Sequence, residues 1–136
     1  MAKKLMIIDS EAFDRDIARK IFSGKYEMAF AENLSEFQSS IDAIKPEVVL
    51  YELRTSNECE LRDAIVATKL RGTPLPLVLV ISENSVELEA TARDYGVFYC
   101  LIRPFNLKEL WDVLEAAFTY ARQSIARTSL REFRLK

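Results

Sequence analysis

Three charged residues each close an apolar run, and their types could do chemistry together. Asp9 follows Leu5-Met6-Ile7-Ile8, Glu52 follows Val48-Val49-Leu50-Tyr51, and Arg103 follows Phe98-Tyr99-Cys100-Leu101-Ile102. A further run, Leu77-Val78-Leu79-Val80-Ile81, delivers Ser82, while Ser10 and Glu11 follow Asp9 and Pro104 and Phe105 follow Arg103. Arginine carries a planar donor fork that suits bidentate pairing with a carboxylate, so a Glu52–Arg103 contact is one chemistry this set allows. Other chemistries are excluded by what is missing. The chain has no histidine, which removes the commonest general base and every Ser-His or Cys-His nucleophile pair. Its two cysteines, Cys59 and Cys100, are too few for a disulfide framework or a zinc or iron–sulfur site.

The elements that must position these residues alternate along the chain. The runs at 5–8, 27–31, 48–51, 77–81 and 98–102 are short and mostly continuous, as expected of parallel strands covered on both faces. Between them lie segments of helical periodicity. The first carries Ala12, Phe13, Ile17, Ala18, Ile21 and Phe22 on one stripe and leaves Arg15, Asp16, Arg19 and Lys20 to solvent. The second spans 34–44, with Asn33 as its cap and Pro46 beyond its end. The third spans 58–70, the fourth 86–95 with Gly96 as its stop, and the fifth 107–121 with Asn106 as its cap. Alternation of this kind predicts an α/β fold: a single-domain, doubly wound (βα)5 sandwich around a five-stranded parallel sheet. In such sheets ligands collect at the carboxyl ends of the strands, which is where Asp9, Glu52, Ser82 and Arg103 stand.

The chain has 136 residues and a net charge of −2, so no overall field selects nucleic acid or an acidic membrane. The charge is unevenly spread: residues 122–136 carry five basic side chains (Arg122, Arg127, Arg131, Arg134 and Lys136) against Glu132. We expect a domain over 1–121 and a basic helical extension or linker over 122–136, serving as a solvated linker or as a packing surface for a second copy. The start of the chain is too short in apolar residues for a signal peptide, and nothing approaches a membrane span. A cytoplasmic protein with reduced thiols is expected.

The order and spacing of these segments resemble the receiver domain of two-component response regulators, the family of the chemotaxis response regulator. The resemblance is carried by Leu5-Met6-Ile7-Ile8-Asp9-Ser10-Glu11, by Pro46-Glu47-Val48-Val49-Leu50-Tyr51-Glu52-Leu53 and by Tyr99-Cys100-Leu101-Ile102-Arg103-Pro104-Phe105, and it covers residues 3 to about 121. It implies the flavodoxin-like strand order 2-1-3-4-5 and a place in phosphorelay signalling. It also implies a histidine kinase as phosphodonor and a protein-contact face built by the fourth helix, fifth strand and fifth helix, where Glu87, Glu89, Arg93, Tyr95, Tyr99 and Trp111 are candidates, with the core as the alternative place for Trp111. Homodimerisation is a further expectation; membrane and nucleic-acid partners are not.

The departures from the family pattern change the chemistry. The family uses two acids after strand one and a phospho-accepting aspartate after strand three to hold Mg²⁺. Here Asp9 matches the first acid, Ser10 replaces the second and Glu52 replaces the acceptor. Arg103 replaces the phosphate-contacting lysine. The ungapped match puts Ile81 at the hydroxyl position, while a shift of one residue puts Ser82 there. It also puts Cys100 at the position of the family's switching aromatic, with Tyr99 and Phe98 as alternatives, and Pro104 at the position of the cis proline. Mg²⁺ demands near-ideal octahedral oxygen donors, so a serine for a carboxylate weakens the site formed by Asp9, Ser10 and Glu52. Glutamate adds a methylene, and a misplacement of about 1 Å can cost ~10²-fold in rate. No cofactor and at most weak Mg²⁺ binding are therefore expected, in a signalling domain and not an enzyme. A flavodoxin-like cofactor binder fits poorly, since the chain has three glycines and no phosphate-cradling loop after strand one.

Overall fold

A computed structural model describes residues 3–8, 15–53, 58–69, 75–81, 86–102 and 105–135, with side chains for all of these except 15–17, 58 and 124–135. Five strands and five helices alternate: β1 (Lys4–Ile8), α1 (Arg15–Phe22), β2 (Glu27–Ala31), α2 (Leu34–Ile44), β3 (Val48–Leu53), α3 (Glu58–Lys69), β4 (Leu77–Ile81), α4 (Val86–Asp94), β5 (Tyr99–Ile102) and α5 (Leu107–Leu135). The strands form one sheet in the order β2-β1-β3-β4-β5, and every neighbouring pair is parallel.

The apolar runs are continuous because both faces of the sheet are covered, and successive side chains serve opposite faces. Leu5, Ile7, Val48, Leu50, Val78, Val80 and Leu101 pack against α1 and α5, where they meet Phe22, Leu114 and Phe118. Their alternates Met6, Ile8, Val49, Tyr51, Leu53, Leu77, Leu79 and Ile81 pack against Phe37, Ile41, Leu61, Leu88 and Ala92 of α2, α3 and α4.

The helix ends obey the local chemistry of their sequences. Asn33 accepts the Glu36 backbone N–H at 2.8 Å and Asn106 accepts that of Glu109 at 2.7 Å, satisfying donors that a first turn leaves unpaired. Gly96, at φ +82°, follows α4, and Lys69 reaches across from α3 to donate to the Tyr95 carbonyl there. The fifth helix runs past Ala121 through the expected extension by almost four turns, to Leu135. The sequence from 122 to 135 contains neither glycine nor proline, so nothing in it stops the helix.

Two polar clusters bind α5 to the amino-terminal edge of the sheet. Glu115 accepts Lys3 Nζ at 2.8 Å and Tyr26 Oη at 2.7 Å, with Lys25 at 3.9 Å. Arg122 donates twice to the Glu47 carboxylate, at 2.9 and 3.3 Å. The Lys3 hydrogen bond, with help from Tyr26, holds the Glu115 carboxyl below its ordinary value, while burial and then the Glu115 bond push the Tyr26 phenol up.

Candidate functional site at the carboxyl edge and the α4–β5–α5 face

Parallel pairing sets the strand ends side by side. Ile8 of β1 stands beside Tyr51 of β3, Leu53 of β3 beside Ile81 of β4, and Ile81 beside Ile102 of β5. Glu52 pairs with Val80 at this edge, next to the last residue of β3. It is half-buried, and alternation along β3 places it in line with Val48 and Leu50, on the α1 and α5 side of the sheet. Of the other residues expected at this edge, Asp9, Ser10, Ser82, Arg103 and Pro104 lie outside the described residues.

Ile81 is 2% exposed and packs on the α2–α3–α4 side. An aliphatic side chain so enclosed offers no hydrogen bond to a ligand. Next to Glu52, Tyr51 is also buried, and its hydroxyl donates to Glu60 Oε1 of α3 at 2.8 Å. That bond ties the end of β3 to the first turn of α3. Sequence reading passed over it, although a lone tyrosine in an otherwise aliphatic run was its signal.

On β5 the expected switch positions separate. Tyr99 is 44% exposed, whereas Cys100 is half-buried and packs against the α4 side of the core. Burial, reinforced by Glu89 and opposed by Arg93, pushes the Cys100 thiol up to about 11, so it behaves as a small apolar group. Phe98 turns to the opposite face and lies 5.5 Å, centroid to centroid, from the Tyr120 ring of α5. Cys59 is an exposed thiol on α3.

Glu89, Arg93, Tyr99, Cys100, Ile102 and Glu109 line a cavity of about 400 Å³ between α4, β5 and α5. Glu89 and Arg93 form an ion pair one turn apart on α4. Glu109, which contributes from α5, was not among the residues expected on this face. Trp111 was, with the core as the alternative, and the structure places it away from this face. Its ring faces α1, 6.5 Å from the Phe22 ring, with Lys25 Nζ stacked 3.7 Å from its centroid. Two helical positions after Glu109, it points to a different side of α5.

Among the described residues, no three acidic, cysteine or histidine side chains gather as a metal site, and no helix is long and apolar enough to cross a membrane.

No protein-family model matches the chain, and no curated protein does. Solved structures do. NtrX from Brucella abortus in complex with ADP superposes with a TM-score of 0.79 at 22% identity, covering 96% of this chain and 29% of that one. The signal receiver domain of a putative Luxo repressor protein from Vibrio parahaemolyticus gives 0.79 at 13% identity, over 93% of this chain and 97% of the other. A CheY-like response regulator receiver domain protein from Methanospirillum hungatei JF-1 gives 0.74 at 20% identity, over 90% and 98%. The architecture is a flavodoxin-like α/β sandwich, and within that class it is the fold of response regulator receiver domains.

Proposed function

We propose that this chain is a response regulator receiver domain of two-component signalling, working in the cytoplasm, that acts through protein contacts without needing a phosphoryl group. The observation that carries the reading is Glu52, a half-buried glutamate at the carboxyl end of β3 in a receiver fold. The fold places the end of β3 between those of β1 and β4, where the receiver pattern puts its accepting aspartate.

The donor set argues against a firm Mg²⁺ site. Asp9, Ser10 and Glu52 would be the ligands, and Ser10 supplies a hydroxyl where the pattern has a carboxylate. Bound there, the ion would neutralise charge on an incoming phosphoryl group. Glu52 brings its carboxylate further out than an aspartate would, and the buried Ile81 adds no phosphate donor. Arg103 directly follows Ile102, whose strand lies two places from β3. At about 4.8 Å per strand that separation is ~10 Å, which a glutamate and an arginine side chain together can bridge. A Glu52–Arg103 pair would then stand in for metal and phosphate and hold the domain in one signalling state.

Output belongs to the α4–β5–α5 face. Tyr99 of β5 is an exposed aromatic side chain that lines the cavity of this face, and Val86 and Tyr95 are exposed at the first position of α4 and just after its end. An exposed aromatic ring at a cavity is a usual anchor of a protein interface.

Beryllofluoride or acetyl phosphate with Mg²⁺ tests the proposal. Neither should alter Trp111 fluorescence or the mass of the wild-type protein, whereas a Ser10→Asp/Glu52→Asp variant should respond to both. A wild-type chain that takes up phosphate from a histidine kinase would overturn the reading.

A further inference from the structure

At the edge of the sheet opposite Glu52, the last turns of α3 and the segments that lead into β4 and β5 enclose a further cavity, of about 260 Å³, and Tyr120 of α5 completes its wall. Backbone hydrogen bonds set these walls. The Leu75 N–H donates to the Thr68 carbonyl at 3.3 Å, that of Val97 to Ala92 at 3.1 Å and that of Phe98 to Leu77 at 3.0 Å. The chain entering β4 is thereby tied to α3, and the chain entering β5 to α4 and β4. A cavity held in this way needs little rearrangement to accept a ligand, which lowers the cost of binding.

The lining is apolar apart from one cation. Ile65, Leu75, Pro76 and Val97 supply aliphatic surface, while Phe98 and Tyr120 supply two rings tilted by 53°. Thr68 is buried, and its hydroxyl donates back to the Ala64 and Ile65 carbonyls of its own helix. The one charged group in the lining is the Lys69 ammonium, and no carboxylate accompanies it there. Its neighbours aim it. Lys69 donates to the Tyr95 carbonyl, and Gly96 leaves room for it, since a Cβ on that residue would stand 2.9 Å from Nζ. An ammonium has three N–H donors, and the other two have no acceptor among the described residues.

One positive charge beside apolar walls selects a ligand with one negative charge and an apolar body, because a second charge would be desolvated without a partner. The volume equals that of about nine waters at ~30 Å³ each, which limits the body to a single small ring. We propose that this cavity is a binding site for a small aromatic monocarboxylate, with its ring against Phe98 and Tyr120 and its carboxylate on Lys69. Aromatic rings favour tilted or offset neighbours about 4.5–7 Å away, so a third ring extends the packing that Phe98 and Tyr120 begin. The carboxylate takes the two donors that the Tyr95 carbonyl leaves, and the end of α4 keeps its cap. The site does not depend on Glu52 or Arg103, so it stands or fails apart from the function proposed above.

Benzoate is the probe, titrated into the full chain at neutral pH and followed by amide chemical shifts. Saturating shifts at Lys69, Gly96, Val97 and Phe98 are expected, with a dissociation constant of about 1 mM or lower. Benzamide, which keeps the ring and loses the charge, should bind ~10-fold more weakly or worse, and benzylamine and acetate should leave these amides unshifted. Lys69→Gln should weaken benzoate binding by about 10–100-fold, and Lys69→Arg should retain most of it. Tyr120→Ala, at an exposed position, should weaken it by about 2–10-fold. Because Lys69 also caps α4, the comparison of ligands on the wild type decides the matter if a Lys69 variant fails to fold. No saturation at roughly 10 mM benzoate, equal binding of benzoate and benzamide, or binding unchanged by Lys69→Gln would each overturn the inference. So would acetate binding as well as benzoate, the mark of an adventitious ion only, or a phenylalanine-ended peptide taken up where benzoate is not.

Discussion

Single positions show where backbone and side-chain chemistry are under tension. Lys45 ends α2 at φ +52°, ψ +60°, the only non-glycine residue with positive φ among those described, while its N–H still bonds the Ile41 carbonyl at 2.8 Å. The left-handed region costs a residue with a Cβ roughly 1–2 kcal/mol, part of which glycine returns as unfolded-state entropy. Lys45→Gly should therefore stabilise the fold by about 0.5–1 kcal/mol, seen as a melting temperature higher by ~2–3 °C; an unchanged or lower value would mean that Lys45 makes a compensating contact. Tyr51 makes the opposite case. Its hydroxyl bond to Glu60 is a polar link between β3 and α3, one residue from Glu52. Tyr51→Phe should cost about 1 kcal/mol in urea unfolding. If the bond also fixes the end of β3, amide exchange should quicken at Leu53 and Glu60 more than in β1.

At the scale of elements, α5 depends on charge. Glu115, between Lys3, Tyr26 and Lys25, has a carboxyl held below its unfolded value, so the network contributes stability above that unfolded value and loses it as pH falls through the folded one. Wild type should thus exceed Glu115→Gln in urea midpoint at pH 7, and the gap should shrink on acidification toward pH 3 and in 1 M salt. The carboxylate is partly exposed, so a modest gap is expected. A gap independent of pH would assign the effect to packing. Elements were also what the sequence made most legible. The bounds of β2, α2 and β4 coincide with those expected, because Asn33 and the run 77–81 mark them chemically. The face of Trp111 was not legible: one residue of a helix turns a side chain by about 100°, and whether position 111 meets α4 or α1 depends on how α5 lies across the sheet. Glu109 and the cavity it borders were hidden for the same reason, since three separate elements must come together to form them. The carboxyl edge was legible as strand ends, and Glu52 and Ile81 stand at two of them. The positions of Asp9, Ser10, Ser82, Arg103 and Pro104 remain expectations from the sequence.

The whole molecule is built on one sheet whose residues alternate between two cores, and this makes a claim about cooperativity. Leu5 and Ile7 belong to the α1–α5 layer and Met6 and Ile8 to the α2–α3–α4 layer, within a single strand of five residues. Neither layer can loosen without disturbing the backbone that carries the other. Trp111 reports on the α1–α5 side alone, through its contact with Phe22. Leu61 is fully buried on the far side, among the α2–α3–α4 residues. Leu61→Ala should cost about 2–5 kcal/mol through lost transfer energy and the cavity left behind. If the sheet couples the layers, that loss must shift the Trp111 fluorescence transition as far as it shifts the far-ultraviolet circular dichroism transition, with the two coincident in urea. Phe118→Ala, on the tryptophan's own side, should cost ~3–5 kcal/mol and keep the same coincidence. A fluorescence midpoint that stays in place under Leu61→Ala while the dichroism moves would show two layers unfolding separately. In that case the strand ends at the carboxyl edge could not report the state of one face to the other, and a signalling state shared between Glu52 and the α4–β5–α5 face would lack its physical connection.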